Sequence, residues 1–140
     1  MSLAAVLAPV FVQVALTFAL HYWTGVARVT SLRRGKVKTK DIALREPNWP
    51  ARVTQIANAF HNQLELPLLY YALTAFALIA GKADLLLVVM SWIFVLSRLV
   101  HAYIHTGSNR VTRRFYAFSV GSGTLCLMWI IFAVRILLGV

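Results

Sequence analysis

The sequence contains very little cysteine and very little acid. One cysteine among 140 residues excludes an intramolecular disulfide framework and a cysteine-based metal cluster. Only 13% of the residues are charged and 60% are hydrophobic, which excludes a disordered chain and argues against an ordinary soluble domain. The lone Cys126 lies in an apolar stretch, so we expect it to be a buried packing residue.

Long apolar runs occupy most of the chain instead. A membrane-spanning helix needs about 20 predominantly apolar residues, and lipid requires that its backbone polar groups pair internally. The alternation typical of a barrel strand is absent. We therefore predict an all-α polytopic membrane protein with a single domain over residues 1–140, folded as a four-transmembrane-helix bundle. Its helices are predicted at about 3–27, 52–80, 85–105 and 115–138.

The basic residues indicate the orientation of this bundle. The chain has 14 Lys and Arg against 4 Asp and Glu; eight of the basic residues lie between 28 and 52 and three more between 106 and 114. The positive-inside rule predicts that these loops are cytoplasmic and that both termini lie outside. We attribute the net charge of +10 to topology, expect contact with anionic membrane lipids, and do not expect nucleic-acid binding.

Polar residues recur inside the second apolar block. Gln55, Asn58, Asn62 and Glu65 follow helical spacing and are predicted to share one face. Polar groups this dense face other helices or a hydrated cavity, and we favour a ligand site over a network that only fixes packing. Pro67 predicts a distortion of this helix, because its ring clashes with the carbonyl group one turn earlier.

The third block carries Arg98, His101 and His105 on one predicted face. Glu65 is the one acid within a spanning block, so we predict a Glu65–Arg98 ion pair, mainly structural in role. The two histidines lack the nearby acid of a zinc-binding helix motif, so no metal site is predicted and a packed, hydrogen-bonded role is favoured.

The first and fourth helices add further candidates. Arg28 continues the polar face of the first helix and either reaches the headgroups or contributes to an anion site. Arg114 and its neighbour Arg113 either hold lipid phosphates or form that anion site with Arg28 and Arg110. Gly121 and the small residues after it predict a close helix contact.

Several of these residues together resemble a known family. The stretch Asn62-Gln-Leu-Glu65-Leu-Pro67, the stretch Arg98-Leu-Val-His101, the basic loop that follows and Arg114 are similar to the MAPEG family of membrane proteins in eicosanoid and glutathione metabolism, in a bacterial-type member. The resemblance covers nearly the whole chain, because the length, the four-span layout and the long basic first loop also agree.

The resemblance implies a homotrimer that binds glutathione, as cosubstrate, between subunits near the cytoplasmic side. It implies a glutathione-dependent transferase or peroxidase acting on lipophilic electrophiles, located in the inner membrane if the source is bacterial. Arg114 matches the arginine that stabilises the thiolate. The residues that match glutathione-binding positions are Arg28, Asn62, Glu65, Arg98, His101 and Arg110.

Other positions depart from the family pattern. His105 stands where a relative has a glutathione-binding tyrosine, and Phe115 and Phe118 stand at or near positions that carry hydroxyl groups there. The alternative is therefore a non-catalytic lipid-binding member, or a small subunit of a larger membrane complex. A small transporter is disfavoured because the sequence has no internal repeat.

Overall fold

The computed structural model describes residues 1–139, and within them the chain is all-α, as predicted, with no strand. Single turns of 3-10 helix lie at Thr39–Asp41 and Asn62–Leu64. The five α-helices are α1 (Leu3–Arg33), α2 (Ala51–His61), α3 (Leu66–Ile79), α4 (Leu85–Thr106) and α5 (Val111–Leu138).

Three of these helices, α1, α4 and α5, are long and apolar enough to cross a membrane. Large apolar side chains cover the outside of the bundle, among them Phe18, Tyr22 and Ile79. In water, a continuous apolar surface of this kind is a site of association, whereas lipid tails accept it. The apolar residues that dominate the composition thus lie on a surface that is compatible with lipid.

The helices extend further than the apolar blocks predicted. The first continues to Arg33 rather than ending near residue 27, and the last begins at Val111 rather than 115. Arg33 lies in the last turn of α1, where a cation is favourable beside the carbonyl end of the helix dipole. The apolar runs of the sequence thus predicted the lipid-compatible part of each helix but not the residues at which the helix begins and ends.

The predicted continuous helix over 52–80 is wrong. It is divided into α2 and α3 by the 3-10 turn and by Glu65, whose backbone angles (φ −97°, ψ −101°) are not helical. Pro67 explains the position of the break, since its ring excludes the carbonyl of residue 63 and it has no N–H to donate. Proline is tolerated in the first turn of α3, where it lies.

The main core is formed between α1, α3, α4 and α5. Tyr70, Leu73, Phe94 and Val95 are completely buried there, and the rings of Tyr70 and Phe94 lie 4.9 Å apart. A second, smaller cluster joins α1, α2 and α4 through Leu20, Ala59 and Ala102. The first cluster holds α3 and α5 against α4, and the second holds α2.

The predicted close helix contact is confirmed at Gly121. A Cβ atom at this position of α5 would collide with the hydroxyl group of Ser97 on α4. Gly123 takes no part, because no atom of residues 1–139 outside its own helix segment lies within 4 Å of the position that its Cβ would take. Burial of Cys126 is a wrong prediction, because its side chain is exposed on the outer face of α5.

Polar contacts fix the two ends of the bundle. At the basic end, Arg52 donates to the carbonyl oxygen of Thr106, and Gln55 donates to those of His105 (2.6 Å) and Gly107 (3.2 Å). These bonds tie the start of α2 to the unpaired carbonyl groups at the end of α4. At the other end, Asp84 forms an ion pair with Arg135 at 2.6 Å.

Candidate functional site

Arg98 is the largest fully buried side chain in the described part of the protein. One guanidinium nitrogen, Nη2, donates to the backbone carbonyl oxygen of Asn62 at 2.7 Å. The ring of Phe118 lies 5.9 Å from the guanidinium carbon. Nε and Nη1 are buried and have no hydrogen-bond partner within residues 1–139. A buried cation with two unpaired nitrogens is costly, so Arg98 has capacity for an anionic or carbonyl ligand.

The predicted Glu65–Arg98 ion pair is not formed. No ion pair joins these side chains in the described chain, although Glu65 lies within electrostatic range of Arg98. Glu65 is exposed because the helix ends at the preceding turn, which changes the direction of its side chain. The same break leaves the carbonyl of Asn62 outside a regular helix, where it accepts the bond from Arg98.

Two histidines lie next to Arg98 on α4. His101 and His105 are both buried, and their rings meet edge to face at 5.5 Å. The amide nitrogen of Asn62 lies 3.4 Å from Nδ1 of His105. Nδ1 of His101 is buried with no partner among the residues described. The predicted hydrogen-bonded role thus fits His105 and not His101.

Arg114, in the first turn of α5, lies near these α4 side chains. Its Nη1 donates to the side-chain oxygen of Asn109 at 2.5 Å, while Nε is buried without a partner in the described chain. Arg114 lies within electrostatic range of both histidines. We use the term cationic cluster for Asn62, Arg98, His101, His105 and Arg114.

Arg28 lies in a different place. Its guanidinium carbon is 5.3 Å from the ring centre of Trp49, and its Nε is buried with no partner within residues 1–139. It lines an open groove of about 470 Å³ between α1, α2 and the loop before α2, together with Asn58 and His61. We call this the Arg28 groove. No contact described joins it to the cationic cluster within one chain.

The predicted polar face of the second block is therefore divided. Gln55 and Asn62 turn toward α4, whereas Asn58 lines the Arg28 groove and Glu65 is exposed. Arg110 is exposed at the residue that precedes α5, and its backbone carbonyl accepts from the Arg114 N–H at 3.0 Å; no described contact joins its side chain to the cluster. Of the seven predicted site residues, the structure brings together Asn62, Arg98, His101 and Arg114.

The sequence model of the MAPEG family matches residues 6–134 of the chain. The protein belongs to the MAPEG family. It is accordingly an integral membrane protein, and membership fits a glutathione-related function in the membrane. No curated protein and no solved structure matches the chain.

Two residues of this MAPEG protein that contact predicted site residues were missed from sequence. Trp49 lies against Arg28 and Asn109 accepts a bond from Arg114, and neither contact was predicted. Asn109 has a left-handed backbone (φ 51°) in the turn between α4 and α5. Asparagine tolerates that conformation, so an asparagine two residues before the start of a helix is a usable turn signal.

The two arginine side chains allow the cationic cluster to bind an anion. The guanidinium groups of Arg98 and Arg114 are N–H donors only, and each retains a buried nitrogen that has no partner in the described chain. Partial exclusion of water strengthens their attraction for an anion. The cluster can therefore bind a carboxylate or favour the anion of a thiol.

Proposed function

We propose that this protein is a glutathione-dependent membrane transferase or peroxidase that acts on lipophilic electrophiles. Arg114 stabilises the glutathione thiolate, and Arg98, Asn62 and His101 hold the tripeptide. In the transferase reaction, the thiolate sulfur forms a bond to an electrophilic carbon, and the leaving group departs with its bonding electrons. A free thiol is mostly protonated at neutral pH, so stabilising the anion increases the concentration of the nucleophile.

One observation carries this proposal. Arg98 and Arg114 present buried N–H groups without partners in the described chain, and no carboxylate side chain forms an ion pair with either. A purely structural buried arginine is normally paired with an acid or fully hydrogen-bonded. Glutathione supplies two carboxylates and a thiolate, which are the charges that this cluster lacks.

The assembly in the proposal is a homotrimer with both termini outside and the basic loops in the cytoplasm. The Arg28 groove and the cationic cluster are separate within one chain, so in the trimer Arg28 and the exposed Arg110 reach glutathione from the edge of a neighbouring subunit's cluster. In this proposal Glu65, which is exposed, binds the ligand's ammonium group. The divided second block, α2 with α3, forms the fourth span, because α3 alone is only about 21 Å long.

The first test measures glutathione binding to the detergent-purified protein and its turnover of chlorodinitrobenzene. We expect saturable binding, with the bound thiol ionising below its free pKa. In Arg114→Ala, the ionisation midpoint should rise by roughly 1–3 pH units. Turnover at neutral pH should fall by about tenfold or more. Arg113→Ala is the matched control, because Arg113 is adjacent and exposed. An absence of saturable binding in the wild type would end the proposal.

The second test examines whether the site is shared. Arg28→Ala and Arg114→Ala chains are expressed separately and together. If the two residues act on one glutathione from different subunits, mixed trimers recover part of the activity, because some interfaces contain both arginines. Activity no higher than that of the separate variants would contradict the shared site while leaving glutathione use open to the first test.

A non-catalytic lipid-binding role is the second candidate, and Phe118 favours it. The ring of Phe118 lies beside both Arg98 and His101, and it has no hydroxyl group to donate. Tyr103 and Tyr116 are 80% and 66% exposed and do not enter the cluster. Copurification of a stoichiometric lipid or membrane-protein partner, with no turnover of chlorodinitrobenzene or a lipid hydroperoxide, would support this role over catalysis.

A further inference from the structure

The turn between α4 and α5 fixes one side chain in front of Arg114. The backbone N–H of Asn109 donates to the carbonyl of Ile104 at 2.8 Å, and that of Gly107 donates to the carbonyl of Tyr103 at 3.0 Å. These bonds cap the end of α4 and fix the position of Asn109 in the turn. Its left-handed backbone is therefore held by the fold rather than by a ligand.

The side chain of Asn109 then acts on Arg114. Its oxygen accepts the bond from Nη1 at 2.5 Å, on the exposed side of the guanidinium. Nε of the same guanidinium is buried and unpaired in the described chain. Because a guanidinium is planar and rigid, fixing Nη1 also fixes the direction of Nε. The bond thus restrains a long side chain that has many rotamers in the absence of a partner.

We propose that Asn109 is a positioning residue that orients Arg114, so that its unpaired Nε–H faces the site of the thiolate. A neutral amide suits this task, since it accepts from the guanidinium without neutralising its charge. A carboxylate here would pair with Arg114 and weaken its attraction for a thiolate. The consequence for catalysis rests on the proposed function, whereas the ordering of Arg114 does not.

The test uses Asn109→Gly, because glycine adopts the left-handed backbone without strain and removes the side chain that carries the acceptor. Ser108→Gly, at the exposed neighbouring position of the same turn, is the control. The first measurement needs no glutathione: isotope-edited NMR of the arginine Nε–H groups, with the Arg114 signal assigned from Arg114→Lys. We expect Asn109→Gly to lose the rigid Arg114 signal and Ser108→Gly to keep it. An equally rigid signal in Asn109→Gly would overturn the proposal.

The second measurement is the ionisation midpoint of bound glutathione, from the ultraviolet absorbance of the thiolate. Asn109→Gly should raise this midpoint by about one pH unit in the wild-type background. It should have no further effect in Arg114→Ala, because the residue acts through Arg114. Equal effects in both backgrounds would contradict the positioning role. Absent glutathione binding in the wild type would contradict the proposed function instead, and the NMR measurement would then decide the role of Asn109.

Discussion

Individual arginines of this protein differ in how they are paired, and the difference separates structural from chemical roles. Arg135 forms an ion pair with Asp84, and Arg52 donates to a helix-end carbonyl while its guanidinium lies 5.3 Å from the ring centre of Trp23. Arg98 and Arg114 instead keep buried nitrogens without partners in the part of the chain that the structure describes. We therefore expect substitutions of Arg135 and Arg52 to affect stability. Substitutions of Arg98 and Arg114 should affect ligand binding.

The Asp84–Arg135 pair predicts an acid-sensitive contribution to stability. Burial would raise the pKa of Asp84, but the Leu87 N–H and the Arg135 guanidinium outweigh it, so the pKa lies below its ordinary value. A carboxyl group with a lowered folded-state pKa contributes stability that is present above its unfolded pKa and is lost as pH falls through the folded value. Asp84→Asn keeps an oxygen to accept from Leu87 but removes the charge.

We expect Asp84→Asn to unfold at a lower temperature than wild type at pH 7, and at the same temperature once pH lies well below 4. Thermal unfolding in detergent, followed by tryptophan fluorescence, measures both values. The two proteins differ only at residue 84, so the difference between the two curves isolates Asp84. A difference that does not shrink on acidification would show that the ion pair is not its cause.

At the level of elements, the break between α2 and α3 decides where the polar groups of the second block lie. Because of this break, the side chain of Glu65 is exposed and that of Gln63 is buried. The carbonyl oxygen of Asn62 is then free to accept a hydrogen bond from Arg98. Gln63 accepts a bond from Gln13 of α1 at 3.0 Å and donates to the carbonyl of Ala59. This buried pair of amide side chains thus connects the turn between α2 and α3 to α1.

This amide pair predicts a non-additive pair of substitutions. Gln63→Leu leaves the buried Gln13 amide without its partner and should lower the free energy of unfolding by about 1 kcal/mol. The double variant Gln13→Leu, Gln63→Leu should lose less than the sum of the single variants, because neither amide side chain is then left buried without the other. Unfolding in a mixed detergent gives the free energy of unfolding of the two single variants and of the double variant. If the losses of the single variants add up to that of the double variant, the two amides do not stabilise each other.

The α4–α5 contact predicts the effect of one methyl group. Gly121→Ala should destabilise the protein by roughly 1–3 kcal/mol, because its new Cβ meets the Ser97 hydroxyl. Gly123→Ala is the matched control on the same helix, where the space is open, and should be neutral or slightly stabilising. Adding Ser97→Ala should restore much of the loss in Gly121→Ala. Equal effects of the two glycine substitutions would show that helix propensity, not the contact, is responsible.

For the whole molecule, the outer surface is apolar and the charges lie mainly at one end. The basic loops before α2 and before α5 meet at the end where Arg52 and Gln55 bond to α4. The proposed orientation places this end in the cytoplasm, and the turn at Lys82 and Ala83 outside.

Cysteine labelling tests this orientation directly, because Cys126 is the single cysteine and Cys126→Ala gives a cysteine-free background. In intact cells, an impermeant thiol reagent should label a cysteine placed at Ala83 but not one placed at Lys38. After permeabilisation both should react. The reverse pattern would invert the proposed topology and move the cationic cluster to the outer side of the membrane.

The sequence alone determined that the chain is helical and enters the membrane, and its motifs identified the family, because apolar length, charge distribution and residue spacing are local properties. It also predicted a distortion at Pro67, since the proline ring acts on its own helix, but not that the helix is interrupted there. Only the tertiary structure decided which polar residues meet. Whether Glu65 or the Asn62 carbonyl reaches Arg98 depends on how the chain turns after the break, and Asn109 reaches Arg114 through a turn whose bonds run back to α4. Such contacts depend on packing between elements, which residue spacing along one helix does not specify.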